Sequence, residues 1–193
     1  RLRVAVLGPV LVEDRTGALA EPSGTRGKSL VVALVLARGS ASVAGLVEDL
    51  WDDAPPPQER AALQTLVSRV RTSSADGLLE STPAGYALAV AADGTDLGLA
   101  RILLERARAA REAGDPTAAV STASAGLALW RGEPGLELSG TRLADELADT
   151  ARELRSELLA VRAGAARDTG DTATALADIQ QLLAERPYDE SLH

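Results

Sequence analysis

The sequence predicts an α+β domain of strands, three helices and a closing hairpin, followed by an all-α domain built from a helical repeat. Three observations predict this. Apolar residues alternate with period two over residues 2–12 and again over 86–90, but recur at helical spacing over 43–51, 60–71 and most of 96–183. Gly114-Asp115 and Gly170-Asp171 are each followed by an Ala-rich apolar stripe, which marks an internal repeat in the second half. Hydrophobic residues make up 46% of the 193 positions while aromatics are only 2% with no Phe, so the cores are built from Leu, Val and Ala, a choice that favours helices.

In chain order, Leu2, Val4 and Val6 alternate, Gly8-Pro9 breaks the pattern, Val10 and Val12 resume it, and Asp14-Arg15-Thr16-Gly17 is a turn. A small antiparallel sheet is expected there. Residues 28–38 are Val-rich, yet their length and the closing Arg38-Gly39 predict a buried helix rather than a strand. Ser42 is the expected N-cap of a short amphipathic helix carrying Val43, Leu46, Val47, Leu50 and Trp51. Three prolines end that segment and are expected to start the next helix at Pro57, running to Ser74. Ser81-Thr82-Pro83-Ala84-Gly85 then separates Leu78-Leu79 from Tyr86, Leu88 and Val90, a hairpin pattern. Strands, three helices and a terminal hairpin in this order describe a winged helix-turn-helix domain, whose third helix enters the major groove of DNA.

The third helix carries the functional signal. Leu63, Leu66, Val67 and Val70 fall on one side, while Ala61, Gln64, Thr65, Ser68 and Thr72 fall opposite, flanked by Arg60, Arg69 and Arg71. Residues 60–75 hold three arginines and no carboxylate, although the whole chain carries a net charge of -8. Small polar side chains permit close approach to base edges, and marginal arginines suit phosphates. Local contacts rather than overall charge govern such binding, so an acidic chain can use one basic face.

From Asp96 onward Leu97, Ala100, Leu104 and Ala107 form a stripe. Gly114-Asp115-Pro116 turns the chain into a helix expected to run through Leu129-Trp130, and a long helix follows from Leu143 to Arg167. Gly170-Asp171 leads into a helix with Leu176, Ile179, Leu182 and Leu183, and Arg186-Pro187 is expected to open a third pair. Helix pairs of this kind stack as a tetratricopeptide-like solenoid. The 56-residue spacing of the two turns exceeds the usual repeat of about 34, the excess lying in the 132–140 loop and the long helix.

Other chemistry finds no support. No Cys and a single His exclude disulfide frameworks, the usual zinc ligand sets and Cys- or Ser-His-Asp catalysis. Residues 24–29, GTRGKS, lack the first glycine of a phosphate-binding loop, Pro22 standing in its place. The carboxylate pairs Asp52-Asp53, Asp145-Glu146 and Asp189-Glu190 read as solvated surface, and His193 stands alone at the end. The longest apolar run, residues 30–37, is too short for a membrane span, so a soluble cytoplasmic protein is expected. The chain starts at Arg1 without any Met, and a piece of a longer polypeptide is expected.

Residues 1–92 resemble the OmpR-type winged-helix domain, and residues 95–193 the bacterial transcriptional activation domain, of the Streptomyces antibiotic regulatory protein family. The residues that carry this are Leu2-Arg3-Val4-Ala5-Val6-Leu7-Gly8-Pro9-Val10, Leu46-Val47-Glu48-Asp49-Leu50-Trp51 with Pro55-Pro56, and Leu63-Gln64-Thr65-Leu66-Val67-Ser68-Arg69-Val70-Arg71. Gly85-Tyr86-Ala87-Leu88 and Leu127-Ala128-Leu129-Trp130-Arg131-Gly132 complete the match. The resemblance implies a transcriptional activator without enzymatic activity or cofactor. Arg60, Gln64, Thr65, Ser68, Arg69 and Arg71 would bind double-stranded DNA, with Tyr86 of the wing. It further implies a homodimer on promoter direct repeats whose helical domain contacts RNA polymerase or another copy. Two alternatives stand beside it: a docking module whose winged helix binds protein, and the regulatory front end of a larger signalling protein.

Overall fold

The computed structural model describes residues 1–52 and 54–185. The chain divides into two compact units, one of residues 1–98 with 130–150, the other of residues 99–129 with the chain from 151 onward.

In the first unit, β1 (Val4–Ala5), β2 (Leu11–Glu13) and β3 (Leu19–Ala20) form an antiparallel sheet in that order. The expected Asp14 turn closes β2 to β3: the Asp14 carboxylate accepts the Thr16 and Ala18 N–H groups, and Gly17 takes the positive φ of 84° that an L side chain resists. The Val-rich segment is helix α1 (Gly24–Leu36), and residues 30–35 are all buried. Burial on every side explains why β-branched residues are accepted there: packing outweighs their modest helix penalty. Lys28, in the stretch that superficially suggested phosphate binding, pairs with Glu21 and Glu137.

Next come β4 (Ser40–Ser42), α2 (Val43–Trp51) and α3 (Glu59–Ser73), followed by the hairpin of β5 (Leu79–Ser81) and β6 (Gly85–Leu88). Ser42 caps α2 as expected, its hydroxyl accepting the Gly45 N–H at 3.0 Å. Helix α3 starts two residues later than the prolines suggest. Pro57 and Gln58 form a turn, and the first helical bond runs from the Ala62 N–H to the Gln58 carbonyl. A second sheet, ordered β4-β6-β5, was not anticipated as such, because β4 is three small polar-flanked residues with no alternation to read. It depends on Gly85, where a Cβ would lie 2.1 Å from the Ala41 carbonyl oxygen.

Asp96 ties this unit together. Fully buried, its carboxylate accepts the N–H groups of Val6, Leu7 and Leu97 at 2.8–2.9 Å, with the Arg131 guanidinium 3.6 Å away. Burial pushes its pKa above the ordinary aspartate value, against the pull of those N–H groups and of Arg131. Residues 130–150 join the same unit through the Arg131 N–H on the Leu7 carbonyl, Glu137 on the Val10 N–H, and Arg142 facing Glu48 and Asp49. Helix α5 ends at Leu127, short of the expected Trp130, in a last turn where the Ala128 and Leu129 N–H groups bond the Ser124 and Gly126 carbonyls.

The second unit contains most of α4 (Asp96–Glu112), α5 (Pro116–Leu127), the later part of α6 (Arg142–Thr169) and α7 (Thr172–Glu185). The two Gly-Asp turns are built alike. Gly114 and Gly170 have φ of 78° and 80°, and Asp115 and Asp171 cap the next helix through the Ala118 and Thr174 N–H groups. Each aspartate also sends its own N–H back five residues, to Ala110 and Ala166. Close helix approach is set by small residues: a Cβ on Gly126 would meet Leu158 at 2.9 Å. A bidentate pair between Arg162 and buried Asp178, at 2.6–2.8 Å, links α6 to α7. The third pair expected from Arg186-Pro187, like Asp189-Glu190 and His193, lies outside the described residues.

Candidate nucleic-acid interface

Helix α3 is held by its apolar stripe. Leu63, Leu66, Val67 and Val70 are each no more than 6% exposed, and α3 packs against α1 and α2. Burying that side sends Arg60, Gln64, Thr65, Ser68, Arg69 and Arg71 outward, and all six are exposed. A shallow depression along the helix is lined by Ala61, Gln64, Thr65, Ser68 and Arg69. A narrower groove of about 180 Å³ separates α3 from the hairpin, with Arg60 and Gln64 on one side and Ser81, Thr82 and Tyr86 on the other.

The chemistry along this face is uneven. Thr65 donates its hydroxyl proton to the Ala61 carbonyl at 3.0 Å, so outward it presents lone pairs and a methyl group. Gln64 and Ser68 have no side-chain hydrogen bond within the chain among the described residues, so both keep donor and acceptor capacity. Arg60 and Arg69 are equally uncommitted among the described residues, in contrast to Arg3, Arg108, Arg111, Arg142 and Arg162, each paired with a carboxylate. Among the described residues, then, two guanidinium groups without a carboxylate partner flank a polar strip on an acidic protein.

Arg71 differs from the other two. Its Nε donates to the Leu79 carbonyl at 2.9 Å, a terminal nitrogen donates to the Ser81 hydroxyl at 3.0 Å, and its Cζ lies 5.8 Å from the centre of the Tyr86 ring. The sequence pattern grouped it with Arg60 and Arg69 because periodicity assigns a direction to a side chain but no partner. Tyr86 is half-buried beneath this guanidinium. Elsewhere in the unit, Arg26 stacks over Trp51 at 5.0 Å and donates to the Leu50 carbonyl, holding the last turn of α2.

Among the described residues no group of three or more His, Asp or Glu is placed to hold a metal, and no helix is long and apolar enough to cross a membrane.

Residues 95–193 match the model of the bacterial transcriptional activator domain. The chain is 36% identical to the regulatory protein AfsR of Streptomyces coelicolor over 99% of its own length and 19% of that protein's. It is 31% identical to the transcriptional regulator RedD of the same organism, covering 98% of this chain and 56% of RedD. In structure it is similar to EmbR of Mycobacterium tuberculosis, solved in complex with a low-affinity phosphopeptide, with a TM-score of 0.86 and 25% identity over 98% of this chain and 52% of that one. The chain thus spans between a fifth and somewhat over half of the length of these relatives. It belongs to the bacterial transcriptional activator domain family, that of the Streptomyces antibiotic regulatory protein kind.

Proposed function

We propose that this chain is a sequence-specific DNA-binding regulator of transcription, residues 1–92 acting as an OmpR-type winged helix and residues 95–193 as a tetratricopeptide-like activation domain. One observation carries the reading: α3 exposes Gln64, Thr65 and Ser68 between two arginines, Arg60 and Arg69, that have no acidic partner among the described residues. In a major groove the central residues face base edges, the Thr65 methyl and lone pairs suiting a thymine methyl or an exocyclic amine. The arginines meet phosphates on either side, and the β5–β6 hairpin lies against the adjoining backbone as the wing. On this reading the protein works in the cytoplasm, binds promoter direct repeats as a pair of copies, and activates by contact between its helical domain and RNA polymerase.

The experiment is fluorescence anisotropy with labelled duplex from upstream of the protein's own coding region, against a scrambled duplex, over a series of salt concentrations. Preferential binding that weakens steeply with salt is expected, with Arg60→Ala and Arg69→Ala each flattening the log–log salt slope by about 0.9. Equal, weak binding to both duplexes at low salt would turn the reading toward a protein-docking surface.

A further inference from the structure

Arg71 stands on the DNA-facing side of α3, yet its guanidinium is turned onto the hairpin. It touches both strands at once: the Leu79 carbonyl and Ser81 hydroxyl on β5, and the Tyr86 ring on β6. Ser81 and Tyr86 are directly paired in the β5–β6 ladder, so two of the three contacts fall on one rung of the hairpin and the third, at Leu79, two residues along β5. The hairpin is small, three residues against four, and a ribbon of that size is marginal unless something braces it. Gly85 seats one end against β4. Arg71 supplies the brace from α3.

We propose that Arg71 is a positioning residue that sets the placement of the wing relative to the recognition helix, rather than a phosphate contact. This rests on the DNA-reading function proposed for α3. The planar guanidinium suits such a brace, because its fork reaches a carbonyl and a hydroxyl while its face lies on an aromatic ring. A lysine supplies the same charge but neither the fork nor the flat face. Arg60 and Arg69, without such partners among the described residues, remain the charges available to phosphates.

The two roles predict different responses to salt. A phosphate contact is an ion-exchange site, so losing it lowers the salt slope by about 0.9, and lysine restores it. Losing a positioning residue weakens binding at every salt concentration with the slope nearly unchanged, and lysine does not restore it. Wild type, Arg71→Ala, Arg71→Lys, Ser81→Ala and Arg69→Ala would be compared by anisotropy on labelled upstream duplex. Amide hydrogen exchange of Thr82 and Ala89, whose N–H groups bond Gly85 and Leu78 across the hairpin, would be followed in the free proteins.

The expected result is about tenfold weaker binding for both Arg71 variants, from the loss of two charge-assisted hydrogen bonds, with slopes close to wild type. Ser81→Ala should move in the same direction by a smaller factor although it removes no charge. Exchange at Thr82 and Ala89 should speed up in Arg71→Ala while the α1 amides stay protected. Full rescue by Arg71→Lys with a slope that drops by about 0.9 in Arg71→Ala would overturn the inference. So would hairpin exchange left unaltered in the free Arg71→Ala variant. A wild-type chain that binds no DNA sinks the function proposed for α3, and that failure is distinguishable from failure of the brace because hairpin exchange in the free protein would still respond to Arg71→Ala.

Discussion

Replacing Asp96 by alanine is expected to destabilise the first unit severely. The substitution strands three buried backbone donors, the N–H groups of Val6, Leu7 and Leu97, which the carboxylate holds at 2.8–2.9 Å. An orphaned buried donor costs about 1–3 kcal/mol, so three give about 3–9 kcal/mol; water entering the space of the lost carboxylate favours the lower end, about 3–4 kcal/mol. Arg131 adds little, because its side chain is 32% exposed and can turn to solvent. Urea unfolding followed by tryptophan fluorescence is a suitable assay, since Trp51 and Trp130, the two tryptophans of the chain, both belong to this unit. With a slope of about 2 kcal/mol per molar, the midpoint should fall by roughly 1.5–2 M at unchanged slope, and Asp96→Asn, which keeps one acceptor oxygen, should fall between. A shift of less than about 0.5 M for the alanine variant would rule out the clamp role of Asp96, since a network worth so little holds nothing in place.

Other outcomes follow from the same geometry. Gly85→Ala forces a Cβ to within 2.1 Å of the Ala41 carbonyl, so β4 must separate from β6; a loss of at least about 2 kcal/mol in urea unfolding is expected. Arg162→Ala leaves the Asp178 carboxylate, 2% exposed, without its bidentate partner, and should cost about 3 kcal/mol in thermal or urea unfolding of the second unit. The Arg111 hydrogen bond holds the Asp168 pKa below the ordinary aspartate value. A depressed folded pKa contributes stability that is present above the unfolded value of about 3.9 and is lost as pH falls through the folded one. The pH-dependent part of the stability difference between wild type and Asp168→Asn should therefore be constant near neutrality, begin to shrink as pH falls below about 3.9, and be lost once pH is below the depressed folded value.

Much of this architecture was legible because it rests on period and punctuation. The helical stripe of α3, the Ser42 cap, the Asp14 turn and the two Gly-Asp turns are each specified by residues within a few positions of one another. What sequence reading missed is non-local. Strand β4 has no pattern of its own and exists because β6 accepts it, through a glycine more than forty positions away. Residues 130–150 read as a loop and a helix start, yet their partners are Leu7, Val10, Glu48 and Asp49, which no spacing rule connects to them. At the candidate site, periodicity correctly identified the outward face of α3. It could not tell that Arg71 turns to the hairpin while Arg60 and Arg69 find no partner among the described residues, since that depends on where Leu79, Ser81 and Tyr86 fall in space.

Whether α3 reads DNA is open to a two-dimensional NMR titration of the isotopically labelled chain with duplex DNA from its own upstream region. If it does, the largest amide shifts will fall on residues 60–69 and on the hairpin around residues 81–86, and they will fade as salt is raised. Shifts confined to other surfaces, or none at low salt, would show that α3 is not a DNA-reading helix.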